Sequence, residues 1–253
     1  MTLKNIIIGG WNSLLDLFYP PVCLQCNVLL EENEQYLCAD CLKQLPRTEM
    51  AAHRDNRLEQ LFWDIPKLQR GAAFCFYRHG ETFRKLILRV KYNNQPLLGQ
   101  YLAELAAHEF LPTHFFDGID LIVPVPLHPK RQRKRGYNQA EYIARGLSNI
   151  TSIPIDTTHL KRIVNNPTQT KRDASERAQN TKGIFTVEMP ANWRGKHILL
   201  VDDIVTTGST IRSCIKVITP IQGTTISIFS LGLAANDLAT TNSQLSTTLN
   251  PKP

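Results

Sequence analysis

At 253 residues, 42% hydrophobic and 20% charged, the chain reads as an ordinary soluble protein with a full core, organised as one main domain plus something smaller. Its net charge of +7 excludes neither enzyme nor binding protein, but the excess is local: residues 121–182 carry twelve Lys and Arg against four Asp and Glu, and the rest carries 17 against 18. A uniformly basic chain is therefore excluded.

The first twenty residues hold Ile6, Ile7, Ile8, Leu14, Leu15 and Leu17, with Lys4 and Asp16 bracketing the apolar stretch. That stretch is too short to span a bilayer and no small-residue cleavage site follows, so a short amphipathic helix packed on the protein and a cytoplasmic location are expected. Four of the six cysteines then form Cys23-x-x-Cys26 and Cys38-x-x-Cys41, with eleven residues between the pairs. Two such knuckles supply a tetrahedral thiolate set suited to one structural zinc, closed to any substrate. Residues 27–37 would form a short hairpin or ribbon. Disulfides are the competing reading; they persist mainly in secreted proteins, and no export signal is visible. Cys75 and Cys214 read as core residues.

Hydrophobic patterning predicts strands at 72–77, 121–125, 196–201 and 225–231, and helices at 82–92, 97–110, 137–149 and 209–218. Their alternation predicts an α/β fold with a mostly parallel sheet and a site beyond the carboxyl ends of its strands. After the second strand, Lys130, Arg131, Arg133, Lys134 and Arg135 place five cations in six positions; a second basic block at 161–182 contains Arg162, Gln169, Lys171, Arg172, Arg177 and Asn180. Taken alone, either block reads as a solvated loop.

The run Ile198, Leu199, Leu200, Val201 suits a strand buried on both faces, with Asp202 and Asp203 falling at its carboxyl end. Thr206, Thr207, Gly208, Ser209 and Thr210 follow, and Ile211, Ile215 and Ile218 mark one face of a helix. Free N–H groups at a helix start, joined by hydroxyls, suit a phosphate, and Gly208 lets backbone approach it. Two carboxylates beside that cradle would repel the phosphate, so they make sense facing neutral hydroxyls such as those of a ribose. The plainer reading is a capped strand–turn–helix. Residues 239–253, mostly Thr, Ser, Asn and Pro, are expected to be a disordered tail.

The Asp202-Asp203 segment resembles the phosphoribosyl-pyrophosphate motif of type I phosphoribosyltransferases: an apolar strand, Asp-Asp, two variable apolar residues, Thr-Thr-Gly, and a small residue before threonine. Further segments are similar to the ComF family of competence-associated proteins. They are Pro-Val-Pro-Leu-His-Pro from Pro124, Arg-Gly-Tyr-Asn-Gln from Arg135, Thr168-Gln169, Glu176-Arg177, and Asn180 with Gly183 and Phe185. The four amino-end cysteines fit that family too, and the resemblance runs from about Leu14 to about Leu233. It implies a type I phosphoribosyltransferase-like, mostly parallel sheet with a small amino-terminal zinc ribbon. The implied division is 1–46 for the helix and ribbon, 47–238 for the transferase-like domain and 239–253 for the tail.

By the same resemblance, Asp202 and Asp203 bind the ribose hydroxyls of phosphoribosyl pyrophosphate, and Thr206, Thr207, Gly208, Ser209 and Thr210 wrap its 5′-phosphate. Val123, Pro124, Val125 and Pro126 form the pyrophosphate turn, and Mg²⁺ accompanies the ligand. Arg162, Gln169 and Arg177 sit on a covering loop and complete, with the acidic pair, the implied catalytic set. Three functions stay open: a DNA-uptake factor in natural transformation, whose Lys130, Arg131, Arg133, Lys134 and Arg135 contact single-stranded DNA; a salvage phosphoribosyltransferase; and a non-catalytic phosphoribosyl-pyrophosphate sensor. Phe185, the available aromatic for stacking an acceptor base, reads as core beside Ile184 and Val187.

Overall fold

The structure, a computed structural model, describes residues 20–78, 82–164 and 183–234. The expected amino-terminal helix, the expected tail, and Gln169, Lys171, Arg172, Arg177 and Asn180 lie outside the described residues.

Two short helices, α1 (Ala39–Lys43) and α2 (Arg57–Gln60), precede β1 (Leu68–Tyr77). Helices α3 (Thr82–Tyr92) and α4 (Pro96–Phe110), strand β2 (Leu121–Pro124), and helices α5 (Pro129–Arg135) and α6 (Gln139–Thr151) follow. Strands β3 (Leu160–Arg162) and β4 (Phe185–Val187) pair antiparallel, and β5 (His197–Val205), α7 (Ser209–Ile218) and β6 (Thr225–Ala234) close the described chain. One sheet runs in the order β1-β6-β5-β2 with every pairing parallel.

Strands β5 and β6 occupy the centre, so both of their faces need apolar cover. Ile198, Leu199, Leu200 and Val201 are fully buried, as are Ile226, Ile228 and Phe229. The two serines buried in β6 are satisfied: Ser227 Oγ lies 2.9 Å from His197 Nε2, and Ser230 Oγ donates to Gly232 O. Helices α4 and α6 pack backbone to backbone at Gly146, where an added Cβ would meet Gln100 O at 2.2 Å. Cys75 and Cys214 are fully buried core residues, and Phe185, 3% exposed, is also core.

Four elements depart from the sequence-based expectations. Strand β5 continues through Val205, because β6 runs on to Ala234 and supplies partners, Asp202 opposite Ser230 and Val205 opposite Leu233. The acidic pair thus lies inside the strand and not at its end. The first basic block is no loop: Pro129 occupies the opening turn of α5, where its missing N–H costs nothing, and Gly136 at φ 88° ends the helix. The helix expected at 137–149 consequently starts at Gln139, capped by the Asn138 side chain accepting from Ala140 N, and ends at Thr151. Likewise β1 starts at Leu68, ahead of its apolar run, because β6 pairs with it from Ile226.

The cysteine region joins the sheet at its β1 edge. Phe76 N donates to Pro46 O and Thr48 N to Phe74 O, at 2.8 and 3.1 Å, and Arg47 bridges opposite Cys75. Arg47 also binds Glu109 at 2.7 Å, and Tyr36 packs against Tyr101 with ring centroids 5.2 Å apart. At the opposite edge, Ile122 bridges to Ile155. Between the cysteine pairs there is no extended hairpin; Val22 and Leu29 form a single bridge across the first knuckle, and the second opens into α1.

Candidate sugar-phosphate site and thiolate centre

Successive strand residues point to opposite faces, so Asp202 and Asp203 meet different surroundings. Asp203 is 4% exposed. Its Oδ1 lies 3.1 Å from Lys91 Nζ and accepts from Ile204 N at 2.7 Å. Its Oδ2 is buried and has no hydrogen-bond partner among the described residues, which leaves an oxygen with accepting capacity for a hydroxyl or a cation. Asp202 is half-buried and accepts from Asp203 N at 2.9 Å. Burial, then the neighbouring Asp203 charge, push its carboxyl up to about 7, with Lys91 and Arg162 pulling the other way.

After β5 the chain turns at Gly208, which has φ 73° and caps α7. A Cβ there would meet the Phe62 ring at 2.6 Å, so both conformation and contact demand glycine. Thr206, Thr207 and Ser209 are exposed and Thr210 half-buried, flanking the buried Gly208. The turn is braced from below by the segment that follows α2. Phe62 is fully buried, and Arg212 on α7 grips Asp64 at 2.8 and 2.9 Å and bonds Leu61 O.

Val123, Pro124 and Val125 are buried and Pro126 half-buried. Pro124 pairs with Val201, and Val125 N donates to Val201 O at 2.8 Å, so this turn borders the strand position next to Asp202. The side-chain amide of buried Asn138 donates to Val125 O at 3.1 Å and holds the turn. On α5, Lys130, Arg131, Arg133 and Lys134 are exposed, whereas Arg135 is bonded to Gln139 and lies 5.6 Å over the Tyr92 ring. Arg162, expected on a covering loop, instead ends strand β3, because Phe185 of β4 pairs with it; half-buried, with its guanidinium 5.4 Å from the Phe185 ring centroid, it acts electrostatically on Asp202.

The structure thus brings together Asp202, Asp203, the turn of Thr206, Thr207, Gly208, Ser209 and Thr210, the turn of Val123, Pro124, Val125 and Pro126, and Arg162. The sequence reading missed Lys91, Phe62 and the Arg212–Asp64 pair. Lys91 sits at the end of an amphipathic helix like any solvated lysine, and Phe62 falls outside every expected element.

At the amino end, the Sγ atoms of Cys23, Cys26, Cys38 and Cys41 all lie within 4.8 Å of one another, with Cys26 and Cys38 at 3.6 Å. No pair is a disulfide. Tetrahedral Zn–S bonds of about 2.3 Å place sulfurs about 3.8 Å apart, so the set fits zinc. Burial opposes ionisation of Cys23, but backbone hydrogen bonds at Cys26 and Cys38 bring its thiol down to about 6; burial pushes Cys41 up. A cation is the group that lets all four ionise together. The only other cysteines, Cys75 and Cys214, are buried elsewhere, so the chain supplies one such site.

Two domain families and several curated proteins match the chain. The phosphoribosyl transferase domain family matches residues 92–232, and the double zinc ribbon domain family matches residues 14–53. Competence protein F of Haemophilus influenzae is 30% identical over 91% of this chain and 92% of its own length. DNA utilization protein YhgH of Salmonella typhimurium is 26% identical over 84% of this chain and 96% of its own. Competence protein ComFC of Bacillus subtilis is 24% identical, covering 75% of this chain and 74% of itself.

Proposed function

Because the chain belongs to the ComF (competence protein F) family of phosphoribosyl transferase-domain proteins, we propose that it acts in DNA uptake and natural transformation. In this reading it holds phosphoribosyl pyrophosphate with Mg²⁺ at the β5 site and contacts incoming single-stranded DNA through α5. The observation that carries the ligand is the buried, unpartnered Asp203 Oδ2, in the strand that leads into a turn whose Thr206, Thr207 and Ser209 are exposed. Asp202 and Asp203 take the ribose hydroxyls, Thr206, Thr207, Gly208, Ser209 and Thr210 the 5′-phosphate, and Val123, Pro124, Val125 and Pro126 the pyrophosphate. Mg²⁺ supplies neutralising charge to the pyrophosphate when bound. Gln169 and Arg177 join Arg162 in this assignment from the sequence alone. The DNA role draws on the names of the relatives and on the exposed Lys130, Arg131, Arg133 and Lys134.

Calorimetry of the zinc-loaded protein with phosphoribosyl pyrophosphate and Mg²⁺ tests the ligand. Binding that survives unchanged in the Asp202→Asn/Asp203→Asn double variant overturns it. Single-stranded DNA binding that falls steeply with salt, and less steeply in an Arg131→Gln/Arg133→Gln/Lys134→Gln variant, supports the backbone contact; no binding at low ionic strength removes it.

A second reading, phosphoribosyl transfer to a nucleobase or related acceptor, is favoured by Arg162, whose charge reaches Asp202 as a group stabilising developing charge would. A pyrophosphate-release screen against nucleobases, amines and single-stranded DNA decides it; ligand binding without release points to a sensor. The domain boundaries at 46/47 and 238/239 and a cytoplasmic location belong to this proposal as well. Among the described residues no helix is long and apolar enough to cross a membrane.

A further inference from the structure

We propose that Tyr92 is a base-stacking platform for single-stranded DNA, set beside the basic helix α5; this rests on the DNA-contact reading above. Tyr92 is the last residue of α3 and is 70% exposed, so core packing does not account for a large aromatic there. Its described neighbour is cationic: the Arg135 guanidinium lies 5.6 Å from the ring centroid and is itself anchored on Gln139 at the start of α6. The Tyr137 hydroxyl donates to Val90 O, which locks the end of α3 to the link between α5 and α6. The ring is therefore held in a fixed place relative to α5.

Helix α5 has seven residues and no acidic one, and at 1.5 Å per residue it is about 10 Å long. Lys130, Arg131, Arg133 and Lys134, all exposed, thus lie within that axial distance of the arginine that covers the ring. A ligand suited to this surface needs a string of anions and an accessible flat face. Single-stranded DNA has both. An acidic peptide offers charge without the face, and a duplex keeps its base faces stacked against one another. Stacking on an aromatic tolerates any base while the cations follow the backbone. The preceding residue, Lys91, is the counter-ion of Asp203, so this surface adjoins the sugar-phosphate site.

The test uses the full zinc-loaded chain and fluorescence anisotropy with an oligothymidylate and an abasic strand of equal length, each across a salt series. Tyr92→Ala is expected to weaken oligothymidylate binding roughly 5- to 150-fold while leaving the salt slope unchanged, because phosphate contacts are kept. Tyr92→Phe is expected to bind like wild type, and the abasic strand to bind wild type and Tyr92→Ala alike. If wild type binds and Tyr92→Ala binds equally tightly, the stacking role falls while the DNA contact stands. If Tyr92→Ala weakens both strands equally and flattens the salt slope, the tyrosine only positions Arg135 and the proposal also falls. If wild type binds neither strand at low salt, the DNA reading itself fails and takes this inference with it.

Discussion

The thiolate centre and the acidic pair are both clusters of like groups held closer than their charges favour, but they are relieved in different ways. Four sulfurs within 4.8 Å come from two knuckles and need a cation from outside the chain. Asp203 is relieved from within by Lys91 on α3, and Asp202 only in part, by Lys91 and by Arg162 on β3, which pull against burial and the Asp203 charge. A cluster whose relief is a bound ion is written in local spacing. One whose relief is other side chains depends on the whole fold to bring them in.

Removing the external cation should have the largest effect. Cys38→Ser is expected to lower zinc from about one per chain to near zero and to make residues 20–45 protease-sensitive, as metal analysis and limited proteolysis would read. Undiminished zinc with unchanged resistance would dissolve the contrast. Removing the internal relief comes next: Lys91→Met leaves Asp203 buried and unpaired, and should cost about 3 kcal/mol in denaturant unfolding. Adding Asp203→Asn should recover part of that loss, and no recovery would mean the two residues do not act as a pair.

Gly208→Ala strains a φ of 73° and drives a methyl into the Phe62 ring. A loss of about 2 kcal/mol is expected, with Phe62→Leu in the same chain relieving the steric part. The smallest effect is a pH dependence. Asp202 titrates near 7 in the folded protein, above the usual carboxyl value, so any stability from this group is complete at acid pH, below the unfolded pKa, and is lost as pH rises toward 7. A ligand that prefers the carboxylate should release a proton below that point. Its affinity, measured by calorimetry in buffers of different ionisation enthalpy, should climb with pH to about 7 and flatten above, and Asp202→Asn should abolish the climb.

The same contrast explains what could be read from the chain. The Cys-x-x-Cys pairs and the fully buried run Ile198, Leu199, Leu200, Val201 carry their signal in consecutive residues, and the parallel sheet followed from alternation. The continuation of β5 through Asp202 and Asp203 did not, because it depends on how far β6 offers partners. Five cations after three prolines look like a loop locally, yet Pro129 opens a helix and Gly136 ends it. Lys91 and Phe62 matter only through segments distant in sequence, Asp203 and Gly208, so no local pattern marks them.

The pairing of residues 46–48 with β1 has a consequence for the protein's behaviour in solution. Strand β1 is the outermost strand of its sheet, ten residues long, and an uncovered edge of that length is a template for joining another chain. Residues 46–48 cover its stretch from Phe74 to Phe76 and follow the cysteine knuckles in the chain. If zinc anchors the knuckles, a chain stripped of it is expected to loosen this cover and to associate through β1, a strand that takes no part in the ligand site; size-exclusion chromatography with and without chelator checks it.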